Sequence, residues 1–320
     1  MLSSRIEGTQ SDVSDLIRYE AGDESSIRSP GEDVREVRNY MTALEHGIAR
    51  LAEEFPLSLR LLREVHAELL TGVRGGYATP GEFRRSQNWI GGSSPSDAAF
   101  VPPPVDAMHD ALGDFEASLH ETRMPLLIQL AMAHYQFEAI HPFLDGNGRL
   151  GRLLIPLMLL QRGVLAQPLL YLSVFFERHR DRYYELLMHT SRSGDLRPWI
   201  MFFLRGVAQQ SKDAEDRTVR LVELQANTRQ MLLDKGASLN VVRAVEGLFS
   251  TPYTSAARLA EGLGVTAPTA RSVISFLVDQ QILEETTGRK RGRFYSAPAI
   301  FEAVYGPTTD GDDEPALFTL

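Results

Sequence analysis

The chain has 320 residues, 33 Lys and Arg against 42 Asp and Glu, 43% apolar residues and no cysteine. That length can bury one large core and a second, smaller one, while a formal charge of −9 argues against a surface coated for non-specific binding to nucleic acid or anionic membrane and leaves room for a local basic patch. Without cysteine there is no disulfide framework, thiolate zinc site or cysteine nucleophile, so His, Asp and Glu are the remaining metal ligands.

The amino end, MLSSRIEGTQ, lacks the basic start and apolar run of a secretory signal. The longest apolar run, Leu153–Leu160, has eight residues against the roughly 20 a membrane span needs, so a cytoplasmic protein without membrane attachment is expected. From about Asp33 the apolar spacing predicts helix after helix: 34–55, then 57–70 with Leu59, Leu62, Val65, His66 and Leu69 at helical intervals. Between Phe83 and Pro104, two short extended stretches, Asn88–Ile90 and Ala99–Val101, flank a Gly/Ser/Pro/Asp turn and predict a β-hairpin flap. Helical pattern resumes over 105–119 and 125–140, stops at His141-Pro142, restarts at Asn147, and continues through 175–191 and from 196 to about 233. Beyond Gly236, three helix-length segments and then Ile282–Ser296, with a central GRKRGR turn, predict a winged helix. The expected organisation is an N-terminal segment 1–30, a core 31–205 with its flap at about 83–104, a helical spacer 206–236, a winged helix 237–305 and a loose acidic tail 306–320. The fold class is therefore mostly α, with a flap and a small winged-helix domain.

The chemistry is concentrated in His141-Pro-Phe-Leu-Asp145-Gly146-Asn147-Gly148-Arg149-Leu-Gly-Arg152. Proline disfavours helix in the residue before it, which puts His141 in a loop with its ring free to face a cleft. Gly146 and Gly148 let backbone N–H groups approach an anion at a helix start whose dipole favours negative charge. Arg149 and Arg152, three apart, share a helix face and can add two guanidinium forks. Asp145 beside such a cradle suits Mg²⁺, which keeps waters and takes one or two protein oxygens. A base, a metal ligand and a triphosphate cradle are the parts needed to transfer a phosphoryl-linked group from a nucleotide to a hydroxyl.

This stretch resembles the Fic motif, HxFx(D/E)GNGRxxR, at every defined position, and AMAHYQFEAI and the NWIG…FVPPP flap are also similar to Fic proteins. The resemblance spans roughly residues 1–205. It implies transfer of AMP from ATP to a Ser, Thr or Tyr hydroxyl of a protein, possession of Mg²⁺, and release of pyrophosphate. His141 would deprotonate the hydroxyl and Asp145 would hold Mg²⁺. Asn147 and the glycine amides would stabilise charge on the α-phosphate, while Arg149 and Arg152 grip the outgoing phosphates. A protein substrate would add as a strand at Asn88, Trp89, Ile90 and Gly91 on the flap. Ser3-Ser-Arg-Ile-Glu7-Gly8 fits the family's inhibitory pattern (S/T)xxxE(G/N), which implies that Glu7 competes with the γ-phosphate for Arg152.

Plainer readings stand beside these. His134, Glu138 and His141 could pass for a metal face, but Pro142 removes His141 from the helix, so His134 is expected to be a packed core residue. Tyr183, Tyr184, Phe202 and Phe203 read as core. Trp89 and Phe100 read first as hydrophobic staples of the flap. The winged-helix segment carries seven basic against six acidic residues from Leu239 to Tyr305. That balance favours protein docking or a homodimer over DNA binding, because phosphate contacts dominate DNA affinity. A nucleotide-sensing transcriptional regulator built on the same core is the alternative function; the intact His141 argues against it, since a sensor needs the cradle but not the base.

Overall fold

The computed structural model describes residue 6, residues 31–73 and residues 79–306; Ser3, Glu7 and the acidic tail beyond Gly306 lie outside the described residues. The chain forms two compact units, divided among the described residues after Ser211. No helix among the described residues is long and apolar enough to cross a membrane.

The first unit is helical, as expected of its periodicity: α1 (Gly31–Ala52), α2 (Leu59–Leu69), α3 (Val105–Leu119), α4 (Leu126–Ile140), α5 (Asn147–Gln161), α6 (Ser173–Arg178), α7 (Arg180–Ser193) and the first part of α8 (Arg197–Asp234). Its centre is α5, buried continuously from Arg149 to Leu159: after the two buried arginines, Arg149 and Arg152, the run from Leu153 to Leu159 is apolar on every side. Helices α1, α2 and α4 pack around it, and each fully buried leucine stabilises the unit by about 2 kcal/mol. The stretch predicted as one helix over 175–191 is two, broken at His179.

His134 pins this bundle. Its Nδ1–H donates to the Gly151 carbonyl on α5 at 2.9 Å, and its Nε2 accepts from the Tyr183 hydroxyl on α7 at 2.9 Å. A carbonyl can only accept, which assigns the tautomer. The ring stacks on Phe176 and Trp199, and burial, then the nearby Arg152 charge, pull its pKa from 6.5 to about 3. A neutral imidazole with both nitrogens engaged is a core residue, not a metal ligand.

The flap is narrower than predicted. A single antiparallel rung joins Ile90 and Phe100, with Ile90 N–H donating to the Phe100 carbonyl at 2.9 Å and Phe100 N–H returning to Ile90 at 3.2 Å. Pairing stops on one side at Gly91 and Gly92, both at positive φ, and on the other at Pro102–Pro104, which have no N–H to donate. Asp97 closes the tip by accepting from the backbone and hydroxyls of Ser93 and Ser94.

The second unit combines the rest of α8 with α9 (Leu239–Ser250), β1 (Tyr253–Ser255), α10 (Ala256–Leu263), α11 (Ala267–Asp279), β2 (Glu284–Glu285), β3 (Phe294–Ser296) and α12 (Pro298–Tyr305). The strands form an antiparallel sheet in the order β1-β3-β2, with Thr254 opposite Tyr295 and Glu285 also opposite Tyr295. Gly264 in the left-handed region ends α10, and the Thr266 hydroxyl caps α11 by accepting from Thr269 N–H at 3.4 Å. The segment 206–236 is more than a spacer: Leu221, Leu224, Met231 and Leu232 pack into this unit's core, because they recur at helical spacing within an otherwise charged sequence.

Candidate active site

Helix α4 ends where Pro142 forbids its continuation. His141 caps it at φ 49° and ψ 59°, a left-handed conformation rather than the extended one expected before proline. For a residue with a Cβ this costs about 1–2 kcal/mol, so neighbours must hold it. Arg84 Nε and Asn88 Nδ2 do so, donating to the His141 carbonyl at 3.1 and 3.3 Å. The His141 ring is half-buried, and its Nδ1 lies 3.2 Å from the Glu138 carbonyl oxygen. That acceptor places the proton on Nδ1 and the lone pair of the neutral ring on Nε2, the atom able to take a proton.

The loop from Phe143 to Gly146 is braced from beneath. Asn147 is buried, and its amide makes both bonds to Phe143: Oδ1 accepts from the N–H at 2.9 Å and Nδ2 donates to the carbonyl at 2.8 Å. Its side chain therefore braces the loop, and an anion at this point would also meet backbone N–H groups of the first turn of α5. Gly146, at φ 78°, provides the turn into that helix. Beneath it lies His66 of α2, whose Nδ1 accepts from Gly81 N–H at 2.8 Å and whose Nε2–H donates to the Asp145 carbonyl at 2.9 Å. The His66 ring stacks on Phe143 at 3.7 Å between centroids. Burial pulls its pKa from 6.5 to about 4, so it is a neutral strut.

On the open side, the Asp145 side chain is 44% exposed, its Oδ1 accepting from Gly146 N–H at 2.6 Å with Arg149 Nη2 at 3.5 Å. The buried Arg149 also lies 3.9 Å from Glu36, and its Nε has no hydrogen-bond partner among the described residues. A buried guanidinium N–H left unsatisfied on the first turn of a helix fits an anionic ligand. Arg152, also buried, follows at i+3 on α5. Among the described residues no group of three His, Asp or Glu could hold a metal unaided, so Asp145 fits Mg²⁺ only in company with phosphate oxygens.

Of the flap residues, Trp89 is 40% exposed and Ile90 forms the rung to Phe100. Asn88 turns inward, donating also to the Phe143 carbonyl at 2.9 Å. Two loop carbonyls engage its amide nitrogen, its Oδ1 is buried without a hydrogen-bond partner among the described residues, and its backbone carbonyl accepts from Gln87 Nε2 at 3.0 Å. The sequence reading missed Arg84 and the bracing role of His66. The one signal was that a histidine occupied an apolar position of the α2 stripe.

Residues 56–159 match the Fic/DOC family and residues 1–49 match the Fic/DOC family N-terminal region. Residues 56–159 thus carry a Fic/DOC domain. The protein adenylyltransferase Fic of Aedes aegypti is 35% identical over 153 residues, which cover 46% of this chain and 27% of that protein. Its counterpart in Drosophila willistoni is 30% identical over 176 residues, covering 53% and 32%. The chain thus spans about a third or less of the length of these curated relatives. Among solved structures, a Fic family protein from Desulfovibrio desulfuricans G20 superposes over 92% of this chain and 84% of its own with a TM-score of 0.58 at 22% identity, a likeness of fold. Fic-1 of C. elegans (aa134–508) matches over 66% and 59% with a TM-score of 0.52 at 25% identity. The Fic core thus lies in the first unit, with the motif bridging α4 and α5.

Proposed function

We propose that this Fic protein transfers AMP from ATP to Ser, Thr or Tyr hydroxyls of a protein substrate docked on the flap. The observation that carries this is the placement of the half-buried His141 ring, with Nδ1 3.2 Å from the Glu138 carbonyl oxygen, in the loop before a helix start with an unsatisfied buried arginine N–H. His141 Nε2 takes the proton as the target oxygen bonds to the α-phosphorus. The bond from that phosphorus to the bridging oxygen breaks, and its electron pair leaves with pyrophosphate. Proton removal of this kind contributes about 10²- to 10⁴-fold in rate. Arg149 and Arg152 meet the charge on the departing phosphates, and the first-turn N–H groups meet that on the α-phosphate. Mg²⁺ at Asp145 would supply charge neutralisation between phosphates. The names of the curated relatives, protein adenylyltransferase, support the same reaction.

The proposal includes autoinhibition by Glu7 competing with the γ-phosphate for Arg152, in a motif that includes Ser3. Its support is the residue just before Glu7: Ile6 is helical and fully buried, and its carbonyl accepts from Arg180 Nε at 3.2 Å. A competition of this sort shifts populations by about 5- to 150-fold. The experiment is intact mass after incubation with ATP and Mg²⁺, with a protein acceptor or the chain itself. A gain of one adenosine monophosphate in Glu7→Gly, larger than in the parent and lost in His141→Ala, is expected. No gain with Glu7→Gly, folded and binding ATP, contradicts the reaction and favours nucleotide sensing; equal gain with and without Glu7→Gly contradicts the switch.

The C-terminal unit has the element order of a winged helix, and the proposed role is protein docking or dimerisation. At its start α11 exposes Thr266, Arg271 and Ser272, a single cation. The exposed Arg289, Lys290 and Arg291 at the wing favour a second reading, DNA binding. Salt-dependent binding of the full chain to duplex DNA would establish that second reading.

A further inference from the structure

We propose that Arg84 is a positioning residue for His141, fastening both limbs of the flap to the catalytic loop so that docked hydroxyl and base share one rigid frame. The inference rests on His141 acting as general base.

Arg84 sits where the chain enters the flap and is 1% exposed. Its guanidinium donates to three carbonyls: Nε to His141 at 3.1 Å, Nη1 to Ser86 at 3.2 Å, and Nη2 to Pro103. Its backbone N–H donates to the Pro142 carbonyl at 2.9 Å. Ser86 belongs to the entering limb of the flap, Pro103 to the returning limb, and His141 to the loop. Pro102, Pro103, Pro104 and Pro142 can accept but have no N–H to donate, so the returning limb and the loop lack the donors for a continuous backbone ladder between the three segments. A forked cation with fixed geometry supplies the missing donors.

Burying a charge against neutral carbonyls costs several kcal/mol before its hydrogen bonds are counted, and burial accordingly lowers the pKa of this arginine. An apolar side chain would fill the volume without that penalty. What it would not do is hold the left-handed His141, whose carbonyl takes a second bond from Asn88. The Asn88 amide extends the fastening to Phe143, and Asn147 carries it into α5. A strand adding beside Trp89 and Ile90 is thereby registered against the backbone that aims the imidazole. A displacement of 1 Å in such a frame lowers rate by about 100-fold.

The test compares Arg84→Lys, Arg84→Met and Asn88→Ala in the Glu7→Gly chain, each checked by thermal unfolding and ATP binding. Arg84→Lys keeps the charge with fewer fixed donors, and Asn88→Ala removes the second bond to the same carbonyl, so the outcome does not depend on Arg84→Met folding. The first readout needs no catalysis: the His141 ring resonance, assigned by His141→Gln, is expected to shift or broaden in every folded variant. The second is the rate of AMP transfer, whose kcat is expected to fall about ten- to a hundredfold with KM for ATP changed less than about twofold, Arg84→Lys retaining more than Arg84→Met. Parent-like His141 resonances and kcat in the folded variants overturn the proposal. So does a fall in kcat matched by an equal loss of ATP affinity, which means general collapse of the loop. If Glu7→Gly itself transfers no AMP, the reaction assigned above has failed, and an unchanged or altered His141 resonance still decides whether Arg84 positions that ring.

Discussion

Replacing His134 with glutamine should remove a specific part of the protein's sensitivity to acid. In the folded chain His134 stays neutral down to about pH 3, whereas an unfolded histidine takes up a proton near 6.5. The group's pKa is depressed by folding, so between those values the unfolded state binds more protons and stability falls as pH falls; above about 6.5 the effect vanishes. The groups facing the ring are the Tyr183 hydroxyl, the Gly151 carbonyl, the Arg152 charge and Glu138, whose Oε1 lies 4.0 Å from Nε2. At about 1.4 kcal/mol per pH unit, the parent should lose about 2 kcal/mol between pH 7 and pH 5 through this residue alone. A glutamine amide can donate to Gly151 and accept from Tyr183 without titrating. Urea unfolding followed by tryptophan fluorescence is the assay. Both tryptophans, Trp89 and Trp199, belong to the first unit, so the signal reports the unit that contains His134. The parent should lose about 2 kcal/mol more than His134→Gln over that pH interval, whatever the variant's absolute stability. Equal losses in the two proteins would refute the buried neutral imidazole.

Gly206→Ala should lower the melting temperature of the first unit. A Cβ there would sit 2.5 and 2.9 Å from two ring carbons of the packed Phe175, an overpacking of about 1–3 kcal/mol that exceeds the helix-propensity gain. Gly113→Ala on α3, where a Cβ meets nothing within 4 Å, is the control and should be neutral or stabilising by up to about 1 kcal/mol, as read by the same melt. Gly146→Ala, at φ 78° with a Cβ 3.2 Å from His66 Nε2, should cost about 1–2 kcal/mol and weaken ATP binding in a calorimetric titration. His66→Phe should preserve the stack on Phe143 but strand the Asp145 carbonyl and Gly81 N–H, each costing about 1–3 kcal/mol, with a visible drop in thermal midpoint.

What could be read along the chain is local chemistry. Proline after His141 ends a helix, glycines around Asn147 open the next one, and two arginines three apart share a face; these effects act over a few residues, so the stretch from His141 to Arg152 was legible before folding. The alternation of helices was legible for the same reason, since periodicity reports which face is buried, as were three C-terminal helices followed by two strands, whereas the short β1 and the last helix α12 were not. The exact backbone at His141 was not, because its left-handed state depends on donors from elsewhere. Arg84 lies 57 positions from it, Asn88 lies 53, and His66 lies 79 positions from the carbonyl it supports. Nothing in a one-dimensional pattern says that an arginine will be buried against carbonyls, or that an asparagine expected to face a substrate will turn inward. Packing decided those contacts, because a buried polar group takes whichever partners the tertiary structure brings within reach.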